Sequence, residues 1–262
     1  MTDTTTQEST SRPRGGRTVS KSTIEEVMEL SRNLPLTRNV LKATVQDATP
    51  GQLGLLADLF RAENLSREQS KRLRLLKQAN FPQAKELDGY DWSTTGFPDD
   101  WGRGNLLTLD FIEHAQDLVL YGDVGCGKTH LAIALGRQAC RNNIPTMFST
   151  AAALIMTLRK AKQDNRLDRE LDRIGKNRLL IIDELGYLPI DIDGARLLFQ
   201  IIADSYERRS IVFTSNLEFS RWGDVFGDGD MAAAVIDRIV HHGRIIRFHG
   251  ESYRSTHSLM NN

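Results

Sequence analysis

Apolar positions fall into two regimes along the chain. Up to residue 88 they recur at helical spacing, as in Leu53, Leu56, Leu59 and Phe60, which predicts amphipathic helices. Thr23-Ile-Glu-Glu26 and Ser66-Arg-Glu-Gln69 have the form of capping boxes and are read as helix starts. From Asn105 onward, short apolar runs alternate with helix-like segments, the pattern of a parallel sheet with crossover helices. The strands are expected at Leu118–Tyr121, Thr146–Ser149, Leu179–Ile182, Ile211–Thr214 and Ile245–Phe248. Residues 89–104 break both periods and read as a linker. Residues 1–22, rich in Thr, Ser, Arg and Gly, read as a disordered, weakly basic tail. The expected division is therefore tail 1–22, helical domain 23–88, linker 89–104, α/β domain 105–254 and tail 255–262.

Bulk properties narrow the class without choosing a function. The chain of 262 residues has room for one domain of ordinary size and a small appendage. Lys+Arg and Asp+Glu balance at 34 each, so affinity for nucleic acid would have to come from local patches. No apolar run has the length of a membrane span and no signal-peptide pattern opens the chain, so no membrane association and a cytoplasmic location are expected. Cys126 and Cys140 are placed in a loop and a helix, poor positions for a disulfide framework. His241 and His242, adjacent on a helix, face different ways and read as solvent or interface histidines, not metal ligands.

One stretch carries specific chemistry. Gly122, Asp123, Val124, Gly125, Cys126, Gly127, Lys128 and Thr129, followed by His130, match a phosphate-binding loop in full, with an apolar strand before and a helix after. Glycines at these places let successive N–H groups turn inward on phosphates at a helix N-terminus. Lys128 can reach the β and γ phosphates, and the Thr129 hydroxyl can ligate Mg²⁺. The nucleotide expected is ATP. Asp123 brings a carboxylate near the phosphates, and both it and Cys126 are expected to turn their side chains away.

Two further strand ends complete the candidate site. The run Arg178-Leu-Leu-Ile-Ile-Asp183-Glu184 is apolar on consecutive positions, as suits a strand buried on both faces. Its carboxylates arrive where ligands sit in such sheets. Asp183 is placed to hold Mg²⁺ through water and Glu184 to polarise an attacking water. Ser210-Ile-Val-Phe-Thr-Ser-Asn216 ends in polar residues, and Asn216 can bond the γ-phosphate or that water; a plain strand-end turn is the other reading.

Taken together, these residues resemble the IstB-type ATP-binding helper proteins of insertion-sequence transposons, related to the DnaC helicase loaders within the AAA+ class. The resemblance runs from about Leu53 to Arg254. It rests on Gly-Lys-Thr-His-Leu-Ala-Ile-Ala-Leu-Gly (127–136), Leu-Ile-Ile-Asp-Glu-Leu-Gly-Tyr-Leu (180–188), Thr-Ser-Asn-Leu (214–217), Trp-Gly-Asp-Val-Phe-Gly-Asp (222–228) and Asp-Arg-Ile-Val-His-His-Gly-Arg (237–244) through Gly-Glu-Ser-Tyr-Arg (250–254).

The resemblance implies an α/β fold: a P-loop AAA+ core with a parallel sheet and flanking helices, no C-terminal lid, and a small helical N-terminal domain. It implies an ATPase that forms a homo-oligomer on double-stranded DNA and recruits or stimulates a partner transposase; delivery of a replicative helicase is the alternative. The family's catalytic assignments fall on Lys128, Glu184 and Asn216. An arginine reaching a neighbouring subunit falls on Arg238, with Arg254 as runner-up.

The family places a DNA-contacting insertion between the second and third strands. Here that region carries Arg159, Lys160, Lys162, Arg166, Arg169 and Arg173, interleaved with Asp164, Asp168, Glu170 and Asp172. A second basic stretch, Lys71, Arg72 and Arg74, is either a DNA contact or a solvated helix face. Two further readings stay open beside these: a small-molecule kinase, for which no acceptor pocket is marked, and an ATP-binding DNA scaffold without turnover, against which Glu184 argues.

Overall fold

Thr23 starts the first helix as expected. Its Oγ1 accepts from the N–H of Glu26 at 3.2 Å, capping α1 (Ile24–Leu30). The computed structural model describes residues 23–187, 189–226, 229–250 and 252–253. The tails 1–22 and 255–262 lie outside the described residues, as does Arg254.

After α2 (Arg38–Gln46), α3 runs unbroken from Pro50 to Gln78. Its start has a clear cause: Pro50 takes the first helical position, where a missing N–H costs nothing. Thr49 and Gln52 form a reciprocal capping box, Thr49 N donating to Gln52 Oε1 at 2.8 Å and Gln52 N to Thr49 Oγ1 at 3.4 Å. The expected start at Ser66-Arg-Glu-Gln69 is therefore corrected. No glycine or proline interrupts residues 55–78, so the helix passes through and Ser66 lies inside it.

The chain divides into two compact units between Gln69 and Ser70. In the first, Val27, Val45, Leu53, Ala57 and Phe60 form a small core, Arg61 pairs with Glu26, and Asn64 donates to Leu30 O at 2.8 Å.

The second unit begins earlier than residue 105. Ala79 O accepts from Phe148 N at 2.8 Å, Leu75 and Ala79 pack on Cys140, and Glu86 takes hydrogen bonds from Arg137 and Arg141. The expected linker 89–104 is also built in. It supplies β1 (Thr95–Gly96), antiparallel to the last strand, and an aromatic run in which Tyr90, Trp92, Phe97 and Trp101 succeed one another at ring distances of 4.8–6.3 Å. Aromatic burial, invisible to a search for period, holds this segment on the core.

The remaining elements follow in order: α4 (Arg103–Thr108), α5 (Asp110–Glu113), β2 (Asp117–Gly122), α6 (Lys128–Arg141), β3 (Thr146–Thr150), α7 (Ala151–Gln163), α8 (Leu167–Gly175), β4 (Leu179–Leu185), α9 (Ile192–Ser205), β5 (Ser210–Ser215), α10 (Trp222–Phe226), α11 (Gly229–His242) and β6 (Gly243–Phe248). The sheet order is β1-β6-β2-β5-β4-β3, parallel except for β1.

Strand side chains alternate between two cores. Leu118, Leu120, Leu179, Ile181 and Val212 join Leu131 and Leu135 of α6 on one face. Val119, Leu180, Ile182, Ile211 and Phe213 join Leu154, Leu158, Leu198 and Val235 on the other. Helices thus cover both faces of a parallel sheet. Gly136 lets α6 sit close, since an added Cβ would lie 2.6 Å from Ile181 Cδ1. Among the described residues, no helix is long and apolar enough to cross a membrane.

Candidate functional site

The carboxyl ends of four strands meet at one edge of the sheet. Tyr121 on β2 pairs with Ser215 on β5, Ser215 with Leu185 on β4, and Asp183 with Thr150 on β3. Residues 122–129 turn from β2 into α6 at this edge. The turn needs its glycines. Gly125 and Gly127 have φ of +86° and +91°, conformations that cost other residues about 1 kcal/mol or more. Gly127 then occupies the N-cap of α6, where the helix's unsatisfied N–H groups and positive end favour an anion.

Lys128 lies along this loop, with Nζ donating to Gly122 O at 2.7 Å and Asp123 O at 2.6 Å. The Cys126 side chain turns into the core and donates to Gly250 O at 3.4 Å. Asp123 and Val124 are exposed. His130 is held from behind, Nε2 meeting Glu86 O at 3.0 Å while its ring sits 5.2 Å from that of Tyr90. The two guanidiniums of Arg141 and Arg137 hold the Glu86 carboxyl low, at about 2, with the Arg141 hydrogen bonds the larger cause.

The acidic residues sit on an irregularity. Ile182 pairs with Phe213 and Leu185 with Ser215, so Asp183 and Glu184 together face Thr214 alone. Such a bulge re-aims side chains. Asp183 stays buried at 4 % exposure, while Glu184 turns out to solvent with φ of +60°. A non-glycine residue held there stores on the order of 1–3 kcal/mol of strain. Asp183 Oδ1 accepts from two hydroxyls, Thr129 Oγ1 at 2.9 Å and Thr214 Oγ1 at 2.5 Å, and Thr214 Oγ1 accepts from Glu184 N at 2.9 Å. The Thr129 hydroxyl and Asp183 carboxylate make an oxygen-only donor pair, the chemistry that suits Mg²⁺.

The family described as IstB-like ATP binding protein matches residues 32–261. The ATP-binding protein of insertion sequence IS5376 from Geobacillus stearothermophilus is 37 % identical over 225 residues, covering 85 % of this chain and 90 % of the relative.

The chain is an IstB-like ATP-binding protein.

It is accordingly an ATPase of that family. The IS21 ATP-binding protein of Pseudomonas aeruginosa is 43 % identical over 179 residues, 68 % of each chain. The crystal structure of DnaI shares the fold, with a TM-score of 0.51 at 20 % identity over 69 % of this chain and all of that one.

Other sequence candidates of this IstB-like protein are spread more widely. Asn216 is exposed, one residue beyond the Leu185–Ser215 pairing and so at the same strand edge as Glu184. Arg238, half-buried on α11, donates to Ala234 O at 2.7 Å and lies 5.3 Å from the Phe199 ring. It makes no hydrogen bond to residues 122–129 among those described.

The cations between β3 and β4 divide by partner. Lys160, Arg166, Arg169, Arg173 and Lys176 line a cavity of about 520 Å³ between α7 and α8, together with Glu170. Arg173 is engaged with Glu170 at 2.6 Å, and Arg166 pairs with Asp164. Arg159 faces elsewhere, pairing with Asp191, which caps α9 by accepting from Gly194 N at 2.9 Å. Arg159 and Asp191 border a second cavity of about 280 Å³ that reaches Glu184, Met156 and Tyr187. Lys162 is exposed. On α3, Lys71 and Arg74 are exposed and Arg72 half-buried. His241 and His242 meet Tyr206 Oη and Glu207 at 2.9 Å each.

Thr214, which appears in the sequence only within the Thr-Ser-Asn-Leu motif, joins the site, and Tyr90 and Glu86 stand behind the loop.

Proposed function

We propose that this ATPase assembles on double-stranded DNA as a homo-oligomer, hydrolyses ATP there, and recruits or stimulates the transposase of its own element. The observation that carries the DNA reading is the cavity between α7 and α8, where five cations surround a space large enough for phosphates and, among the described residues, only Arg166 and Arg173 have a carboxylate partner. Such a cluster binds backbone phosphate and supplies salt-dependent affinity without reading bases. The transposase reading is supported by the relatives, which belong to insertion sequences.

In the site, residues 122–129 cradle the phosphates and Lys128 leaves its carbonyl partners for them. Thr129 and Asp183 would hold Mg²⁺, which when bound would supply positive charge against the phosphates. Glu184, turned outward by the bulge, orients and polarises the attacking water. Asn216 fixes that water or the γ-phosphate from the neighbouring strand end. The test is ATP turnover by the purified protein with and without double-stranded DNA, with particle size measured in each state. DNA-stimulated turnover with growth into a larger assembly is expected. Turnover indifferent to DNA from a protein of unchanged size overturns the reading.

A further inference from the structure

We propose that Thr214 is a positioning residue for ATP hydrolysis, one hydroxyl setting both the Asp183 carboxylate and the Glu184 main chain. The inference rests on the reading of Asp183 and Glu184 as the hydrolytic acids.

The argument begins with register. A bulge leaves two residues of β4 opposite one of β5, so the ladder offers no main-chain partner for both. The Thr214 side chain fills the gap: its Oγ1 accepts from Glu184 N at 2.9 Å. A hydroxyl has one proton to give, and Thr214 gives it to Asp183 Oδ1 at 2.5 Å. The hydroxyl orientation is thereby fixed by its two partners, and Thr214 is 2 % exposed, so water does not compete for either bond. A β-branched residue in a strand is also stiff about χ1.

Two consequences follow for the site. Asp183 receives both described hydrogen bonds on Oδ1, from Thr214 and from Thr129, which orients its carboxylate toward the loop. Glu184 is held at φ of +60° by a bond to its own N–H, which keeps its side chain outside the sheet. Without the hydroxyl, Glu184 N is left unsatisfied and the strained conformation loses its support.

The test compares Thr214→Val, which keeps the shape and removes the hydroxyl, with Thr214→Ser, which keeps the hydroxyl. Three quantities are measured on the full chain: affinity for a fluorescent ATP analogue in EDTA, the gain in that affinity on adding Mg²⁺, and kcat and KM for ATP. Loss of an orienting partner typically costs about 10- to 100-fold in metal affinity or activity. Thr214→Val is expected to bind nucleotide in EDTA within about twofold of the parent, to lose most of the Mg²⁺-dependent gain, and to drop in kcat by that factor. Thr214→Ser is expected to recover kcat to within about threefold, since it restores both bonds.

Normal kcat in Thr214→Val overturns the proposal, as does equal damage in Val and Ser. Weakened binding of Thr214→Val in EDTA points to a merely structural role and also overturns it. Glu184→Gln, run alongside, separates the two levels. If it retains full turnover, the reading of the acids fails and takes the proposal with it. If it is inactive while Thr214→Val is normal, only the role of Thr214 falls.

Discussion

Thr129 and Asp183 lie on different elements and meet at 2.9 Å, the hydroxyl donating to the carboxylate. The contact joins the first turn of α6 to the end of β4 across the intervening β5, and it exists because the parallel strands end at one edge. The two groups assigned to the metal are thus already adjacent, which lowers the ordering cost of binding. Lys128, by contrast, is engaged with two loop carbonyls, which the proposed role at the phosphates requires it to leave.

This difference predicts separable variants. Lys128→Ala removes a charged donor to phosphate, and such bonds contribute about 1.5–3 kcal/mol, so ATP affinity should fall roughly 10- to 100-fold. Glu184→Gln leaves the cradle intact and should bind ATP normally while turnover falls about 10²- to 10⁴-fold, the usual contribution of a positioned base. Equilibrium binding and steady-state turnover on both variants check the division. Equal loss of binding would show that Glu184 belongs to the cradle.

The basic cavity makes a prediction that mere charge counting does not. Lys160, Arg169 and Lys176 have no carboxylate partner among the described residues, whereas Arg173 is shared with Glu170 and Arg159 with Asp191. Lys160→Ala and Arg169→Ala should weaken DNA binding and each lower the slope of log affinity against log salt by about 0.9. Arg159→Ala should change the slope little. Titrations of one duplex at several salt concentrations decide this, and equal slopes for Arg159→Ala and Arg169→Ala would refute the division.

The strands of this fold were legible because consecutive apolar residues in runs such as 179–182 leave few alternatives to a strand covered on both faces. β1 was not, since two residues joined through main-chain bonds leave no pattern in side chains. The first unit ends at Gln69 and not at residue 88, for a related reason. Helical period continues through Gln69 and Ser70, and what changes there is which neighbours the residues meet. In the site, Lys128, Thr129 and Asp183 could be named from local motifs. Thr214 could not, because its partners are set by a register shift between strands, and the bulge at Asp183–Glu184 has no local signature. The basic residues show the same limit: sequence counted Arg159 with its neighbours, but its ion pair needs the position of Asp191.

Asp117 opens β2 at 7 % exposure, and its Oδ1 accepts from Ile211 N at 2.7 Å. Burial pushes its carboxyl up from 3.8 to about 7, against the pull of that hydrogen bond. The folded value lies above the unfolded one, so the folded chain binds the proton more tightly. This contribution is complete below pH 4 and is lost as pH rises through 7. Asp117→Asn keeps an acceptor for Ile211 N and cannot ionise. Relative to the parent it should gain stability between pH 4 and 8, by on the order of 4 kcal/mol at the alkaline end. Denaturant unfolding at pH 4.5 and 8.5 tests it; a constant difference between the two proteins would mean Asp117 stays ionised when folded.

Arg238 supplies the prediction that bears most directly on assembly. Within one chain its guanidinium is occupied by Ala234 O and the Phe199 ring, on α11 and α9, and not by the phosphate loop. On the reading that Arg238 acts at a γ-phosphate, the loop it serves is expected to come from a second copy. An arginine supplied in trans contributes about 10³- to 10⁵-fold to turnover, so Arg238→Ala should bind ATP normally and lose hydrolysis. Mixing changes the outcome in a way that a folding defect cannot imitate. Lys128→Ala carries an intact Arg238 and a poor loop, while Arg238→Ala carries the reverse, so a mixed assembly contains some complete sites. Turnover by the mixture above that of either variant alone is expected, rising with their ratio toward equality. If every ratio gives only the sum of the two, Arg238 acts within its own chain or not at all.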